Sequence, residues 1–75
     1  GGRNMSISYK KLFHLMIDQG ISNGDLMEKA QISANIIPRM KKNGYISLET
    51  VEKICRAMNC SVDDILEFID DEGEI

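Results

Sequence analysis

Apolar residues recur along this chain at helical spacing, in blocks separated by small polar and turn-forming residues. In the first block Leu12, Phe13, Leu15, Met16 and Ile17 form a broad stripe with Tyr9 one turn earlier. Lys10, Lys11, His14 and Asp18 share the other face, so His14 is expected to be exposed. The pattern predicts a helix over 8–19, stopped by Gly20, which can take the left-handed conformation that ends a helix. Ser22 with Asp25 forms a short-armed capping box, and Leu26, Met27 and Ala30 mark a second helix ending near Gln31. Ser33 is the next N-cap candidate. It opens a third helix with Ile37 and Met40 inside, closed by the breaker pair Asn43 and Gly44. Ser47 caps a fourth helix, with Glu49 in its first turn and Leu48, Val51, Ile54, Cys55 and Met58 at helical spacing. Ser61 with Asp64 repeats the capping box, and Val62, Ile65, Leu66 and Ile69 give a short fifth helix. No stretch alternates apolar and polar residues for long, so strands are not expected. The predicted class is all-α, a compact five-helix domain.

Size narrows this further. Seventy-five residues make one domain, and a chain so short buries only about 60% of its unfolded surface, so nearly every apolar side chain is needed inside. The expected organisation is a flexible start or cloning remnant over 1–6, a folded domain over 7–69 and a disordered acidic tail over 70–75. Gly1 to Asn4 lack the apolar run of a signal peptide, and no stretch approaches the roughly 20 apolar residues of a membrane span. A cytoplasmic location is the default expectation. Cys55 and Cys60 fit neither a redox motif nor a zinc framework, and His14 is the one histidine. Two buried free thiols are expected, with no metal and no cofactor. The methionines are read as core filler.

Charge changes the picture by its distribution. The chain has a formal net charge of −3, yet Glu67, Asp70, Asp71, Glu72 and Glu74 all fall in the last nine residues. Residues 1–66 carry nine bases against seven acids, a net of +2, and no acid stands between Lys29 and Glu49. Arg39, Lys41 and Lys42 cluster inside that acid-free window, the footprint expected of a surface that meets an anionic polymer.

The stretch S-N-G-D-L-M-E-K-A-Q-I-S-A-N-I-I-P-R-M-K-K-N-G, Ser22 to Gly44, resembles the helix-turn-helix of the phage repressor and Cro (XRE-like) family. The following S-L-E-T-V-E-K-I-C-R-A-M-N-C-S-V-D-D-I-L is similar to that family's fourth and fifth helices, and the likeness spans about residues 7–69, closest to short stand-alone bacterial members. The resemblance implies a lambda-repressor-like DNA-binding domain whose helix from Ser22 to Gln31 crosses the DNA backbone. A recognition helix over 33–41 would then enter the major groove of duplex DNA. It puts Ser33 at the start of that helix, Ala34 and Asn35 at the first exposed positions and Arg39 one turn on. Asn can pair with adenine, and Arg with guanine. It also implies that Asn23 meets a phosphate, where the family often has Gln, and that Lys41, Lys42 and Asn43 touch the sugar-phosphate backbone.

Four positions depart from the family pattern. Asn23 has a shorter reach than Gln. Met27 stands where Ala is usual and implies a wider spacing of the two motif helices. Gln31 stands where the turn usually has Gly, and a positive φ there would strain it. Pro38 is the fifth helical residue if Ser33 is the cap, where it would cost on the order of 3 kcal/mol. Either the recognition helix is kinked, or it begins near Asn35 and places Pro38 in a tolerated first turn.

The residues also admit plainer roles. Arg39, Lys41 and Lys42 can form a solvated face, and Asn35 a local cap. Ser22, Ser33, Ser47 and Ser61 are most simply caps. As functions, a DNA-binding transcriptional regulator acting as a weak homodimer stands against a protein-interaction module of the same fold that modulates another regulator. No nucleophile with a base, glycine-rich phosphate loop or metal cluster is legible, so neither an enzyme nor a small-molecule substrate is expected.

Overall fold

The computed structural model describes residues 5–70. In chain order its elements are strand β1 (Met5–Ser8), helices α1 (Lys10–Gln19), α2 (Asn23–Ala30), α3 (Ile36–Lys41) and α4 (Leu48–Met58), a 3-10 turn (Val62–Asp64) and strand β2 (Glu67–Asp70). Four α-helices form rather than five. The two strands pair antiparallel, Ile7 opposite Phe68 and Ser8 opposite Glu67.

The expected fifth helix ends after a single turn, in which the Leu66 N–H donates to the Val62 carbonyl. Ile65 is buried in the core there, and Phe68 and Ile69, aromatic and β-branched, extend instead along β1. The matching signal in β1 is short: Met5, Ser6, Ile7, Ser8 and Tyr9 alternate apolar and polar over five residues. Met5 and Ser6, expected within a flexible start, therefore belong to a strand, and so does Asp70, expected in the tail. The remainder of both segments, 1–4 and 71–75, lies outside the described residues.

Leu12 and Met16 of α1, Leu26 and Ala30 of α2, Ile37 and Met40 of α3, and Val51, Ile54 and Met58 of α4 form one core closed by Ile7, Tyr9 and Ile65. Four apolar residues of the expected helices stay outside it, Ile17, Leu48, Val62 and Ile69. Ile17 and Leu48 face solvent, Leu48 as the first residue of its helix. His14 is exposed. Cys55 and Cys60 are free and half-buried rather than buried; desolvation raises the pKa of both thiols above their ordinary value.

Capping follows the serines closely at three of four places. The Ser22 hydroxyl accepts from the Asp25 N–H at 3.1 Å while the Asp25 carboxylate accepts from the Ser22 N–H at 3.1 Å. Ser47 accepts from the Thr50 N–H at 3.1 Å, and the Asp64 carboxylate accepts from the Ser61 N–H at 3.0 Å. Only Ser33 departs.

All four helices end in one way. Gly20, Gln31, Asn43 and Asn59 have φ of 68°, 58°, 59° and 58°. The residue after each donates its N–H back five positions: Ile21 to Met16 at 2.8 Å, Ile32 to Met27 at 3.2 Å, Gly44 to Arg39 at 2.8 Å and Cys60 to Cys55 at 3.0 Å. These left-handed ends satisfy carbonyls the helix would leave orphaned. Glycine and asparagine adopt the conformation readily; glutamine does not. Gln31→Gly is accordingly expected to stabilise the domain by about 0.5–1 kcal/mol net and to raise Tm by a few degrees, the relief of strain exceeding glycine's greater entropy loss. Thermal unfolding followed by circular dichroism measures it.

Candidate nucleic-acid interface

Helix α2, the turn over 31–35 and helix α3 carry the residues singled out above. Asn23 is the first residue of α2, held in place by the Ser22–Asp25 cap just beneath it. The Ser22 backbone N–H, and then its hydroxyl, hold the Asp25 carboxyl below its ordinary value, so the cap is anionic at neutral pH.

The turn differs from expectation in its cap. Ser33 does not cap α3. Its hydroxyl donates to Asn35 Oδ1 at 2.6 Å, and its carbonyl accepts from the Ile36 N–H at 3.1 Å. Asn35 takes the N-cap position, but its side chain makes no capping bond. Its amide nitrogen keeps both hydrogens, and Oδ1 keeps one lone pair. With the helix starting at Ile36, Pro38 is the third helical residue. Its absent N–H is one of those that no helix would satisfy, and the Ala34 carbonyl lies outside the helix. The late start therefore resolves the proline and no kink is needed.

The far end of α3 rests on Gly44. A Cβ added there would stand 2.8 Å from Arg39 Cγ and 3.2 Å from the Arg39 carbonyl oxygen, so the Arg39 stem lies directly over the Gly44 backbone. The Gly44 carbonyl accepts from the Tyr9 hydroxyl at 2.6 Å. Tyr9 is buried, and desolvation followed by the nearby Tyr45 raises its pKa, which keeps the hydroxyl a donor. A residue at the end of β1 thus fixes the loop under Arg39.

Ser33, Ala34, Asn35, Arg39, Lys41, Lys42 and Asn43 are exposed and Asn23 is half-buried. Asn23 and Lys41, on different helices, meet at the rim of one shallow recess of about 370 Å³ with Phe13, Ile17 and Ile21. Ser33 and Asn35 meet at the start of α3, and Arg39 stands over Gly44 at its end. Among the described residues, ion pairs join Lys11 to Glu67 at 3.7 Å and Arg56 to Glu52 at 2.9 Å, and none engages Arg39, Lys41 or Lys42. Also among the described residues, no cluster of three His, Cys, Asp or Glu could hold a metal, and no helix is long and apolar enough to cross a membrane. Three participants escaped the reading of the sequence. Tyr9 looked like stripe and Gly44 like a breaker, and Ile17 gave no sign that it borders this recess.

Two short helices joined by a tight turn, the second bearing cations that no ion pair engages among the described residues, define a helix-turn-helix domain. The chain belongs to the family of Cro/C1-type helix-turn-helix DNA-binding domains, whose family model matches residues 11–71. Among solved structures it is similar to the crystal structure of the transcriptional regulator VanUg (Form II), with 33% identity, a TM-score of 0.85 and coverage of 93% of each chain. No curated protein matches the chain.

Two substitutions check this geometry. Pro38→Ala is expected to lose about 0.4–1 kcal/mol through a more flexible unfolded chain. A proline in the helix interior would instead release roughly 3 kcal/mol on replacement, and denaturant unfolding separates the two. Tyr9→Phe leaves the Gly44 carbonyl without its partner and should cost about 1–3 kcal/mol in the same assay.

Proposed function

We propose that this chain is a transcriptional regulator that binds duplex DNA sequence-specifically, with the segment over 33–41, the end of the turn together with α3, as its reading element. The observation that carries the proposal is the position of Arg39, Lys41 and Lys42. They are exposed cations without an acidic partner among the described residues, on and just after the second helix of a Cro/C1-type motif. The likeness to a transcriptional regulator at 33% identity supports the same reading.

In this reading α2 crosses the backbone and Asn23 donates to a phosphate. Ala34 and Asn35 lead into the major groove, with Ser33 holding the Asn35 amide so that its nitrogen faces a base edge; Asn35 then reads adenine and Arg39 guanine. Lys41, Lys42 and Asn43 bind sugar-phosphate. Phosphate contacts set register and affinity, base contacts set choice. One module buries only roughly 600–1,000 Å² on DNA, so a weak homodimer on a partly palindromic site would provide the selectivity a single copy lacks.

Fluorescence anisotropy with random duplex DNA tests the electrostatic part. On random duplex, where no base is recognised, Arg39 as well as Lys41 and Lys42 meets a phosphate, and three such contacts give a slope of log affinity against log salt near −3, about a 40-fold loss between roughly 50 and 200 mM. Replacing both Arg39 and Lys42 by Ala should reduce that slope by about two. Binding that ignores salt, or no binding by folded protein at low salt, would remove the DNA reading and favour a protein-interaction module that modulates another regulator.

A further inference from the structure

Asparagine followed by glycine occurs twice in the chain, at Asn23–Gly24 and Asn43–Gly44, and both asparagines belong to the proposed backbone-contacting set. This pair of residues has a chemistry of its own. With no side chain on the second residue, its backbone nitrogen can reach the asparagine side-chain carbonyl carbon and close a five-membered ring. Ring closure needs the peptide plane after the asparagine turned well away from its helical setting. The two pairs differ in this respect. Asn23 is the first residue of α2 and is half-buried, in a turn held by the Ser22–Asp25 capping box and by the Leu26 N–H donating to the Ser22 carbonyl at 3.0 Å. Asn43 lies beyond the end of α3, exposed, at a φ of 59°. Its side-chain amide makes no hydrogen bond among the described residues. Two bonds hold Gly44: its N–H donates to the Arg39 carbonyl at 2.8 Å, and its carbonyl accepts from the Tyr9 hydroxyl at 2.6 Å.

We propose that Asn43 is a site of spontaneous deamidation, its rate set by the release of Gly44, and that the product weakens the grip on DNA, a consequence that rests on the DNA-binding reading above. A base in solution takes the Gly44 amide proton, and the nitrogen attacks Asn43 Cγ. The side-chain nitrogen departs as ammonia and leaves a succinimide. Water then opens the ring at either of its carbonyl carbons. Breaking the bond from Cγ to the Gly44 nitrogen leaves aspartate at position 43. Breaking the bond from the main-chain carbonyl carbon leaves isoaspartate, with the chain routed through the side chain. In sum one water is consumed and one ammonia released, with no oxidant and no enzyme. Lys42 beside the site and Lys41 favour the amide anion that attacks, whereas Asp25 follows the other pair directly. Attack at Asn43 waits only on the opening of one short turn at the surface, and at Asn23 on unwinding the capped first turn of α2. Either product places a negative charge next to Lys42 and two residues from Lys41, offsetting one of the cations turned toward DNA. Isoaspartate also lengthens the main chain by one atom inside the left-handed turn that closes α3.

Tryptic mapping of the whole folded chain, aged in warm and mildly alkaline buffer, tests the assignment, since cleavage after Lys29 and Lys42 puts the two pairs in separate peptides. Conversion adds one mass unit, and labelling by an isoaspartyl methyltransferase marks the isoaspartate. In the folded protein conversion at Asn43 should outrun that at Asn23 by at least about tenfold, and in denaturant the two rates should converge. Tyr9→Phe, which frees the Gly44 carbonyl, should speed conversion at Asn43 by at least about fivefold with little change at Asn23. If that variant does not fold, the wild-type comparison with its own denatured chain still decides the site. Equal rates at the two pairs in folded protein would overturn the proposal, as would faster conversion at Asn23, or an Asn43 that stays intact while the denatured chain converts. A folded Tyr9→Phe protein with an unchanged rate at Asn43 would overturn it as well. Asn43→Asp should reduce the salt slope on random duplex by about one, and a slope equal to wild type would remove the consequence for DNA. Wild-type protein that fails to bind in that assay sinks the DNA reading and not the modification site, because the peptide map involves no DNA.

Discussion

Four residues held at positive φ govern this architecture. Helices of six to eleven residues have too few hydrogen bonds to persist alone in water, and here each is ended by a turn that reverses the chain sharply enough for the next helix to fall on the same core. At every one of these ends the backbone bond from the residue beyond the turn to the carbonyl five positions earlier fixes the direction of departure. Side-chain burial then selects among few arrangements. The motif turn is the weakest of the four by chemistry, since it alone uses a residue with no special tolerance for the left-handed region. Placing Gln31 there loads strain onto the joint between α2 and α3, the joint that sets the angle of the candidate reading helix.

A second coupling runs through Tyr9, Gly44 and Arg39. The buried phenol, the glycine backbone and the arginine stem stack in that order, so the segment preceding α1 supports the far end of α3. The start of α3 is held differently, by the Ser33–Asn35 bond and by a proline placed where its missing N–H is harmless. Both ends of a six-residue helix are therefore supported by specific contacts, one near in sequence and one distant, rather than by helix propensity. No acid stands in the sequence between Lys29 and Glu49, and among the described residues no ion pair engages Arg39, Lys41 or Lys42, so the negative total charge hides a cationic window.

Much of this was legible in the chain. Ser22, Ser47 and Ser61 announced their caps, Gly20 its stop, and the spacing of Leu26, Ala30, Ile37 and Met40 the inner faces of the motif, because each of these signals is local. The proline, too, left only two readings, and a late helix start was one of them. What failed was non-local. β1 is four residues long and draws its stability from Glu67–Asp70, more than fifty residues away, so its brief alternation carried little weight against the helical stripes around it. Periodicity also assigned Ile17 and Leu48 to the core, since a repeat tells which side of a helix is apolar but not how far the opposing elements extend. In the candidate interface the residue types were readable, whereas their grouping was not. Nothing in the order of residues says that Asn23 and Lys41 share a recess or that Arg39 needs the missing side chain of Gly44.

The ribbon has a topological consequence. Met5 lies directly across from Asp70, so the chain leaves the domain beside the point at which it enters. A few residues would suffice to join those two points into a ring, and the domain could then be opened at an exposed turn such as that at Gly20 without changing the order in which its helices pack. Linear order from Met5 to Asp70 is thus a property of the gene more than of the fold, and any segment fused at either end would emerge from the same corner of the molecule.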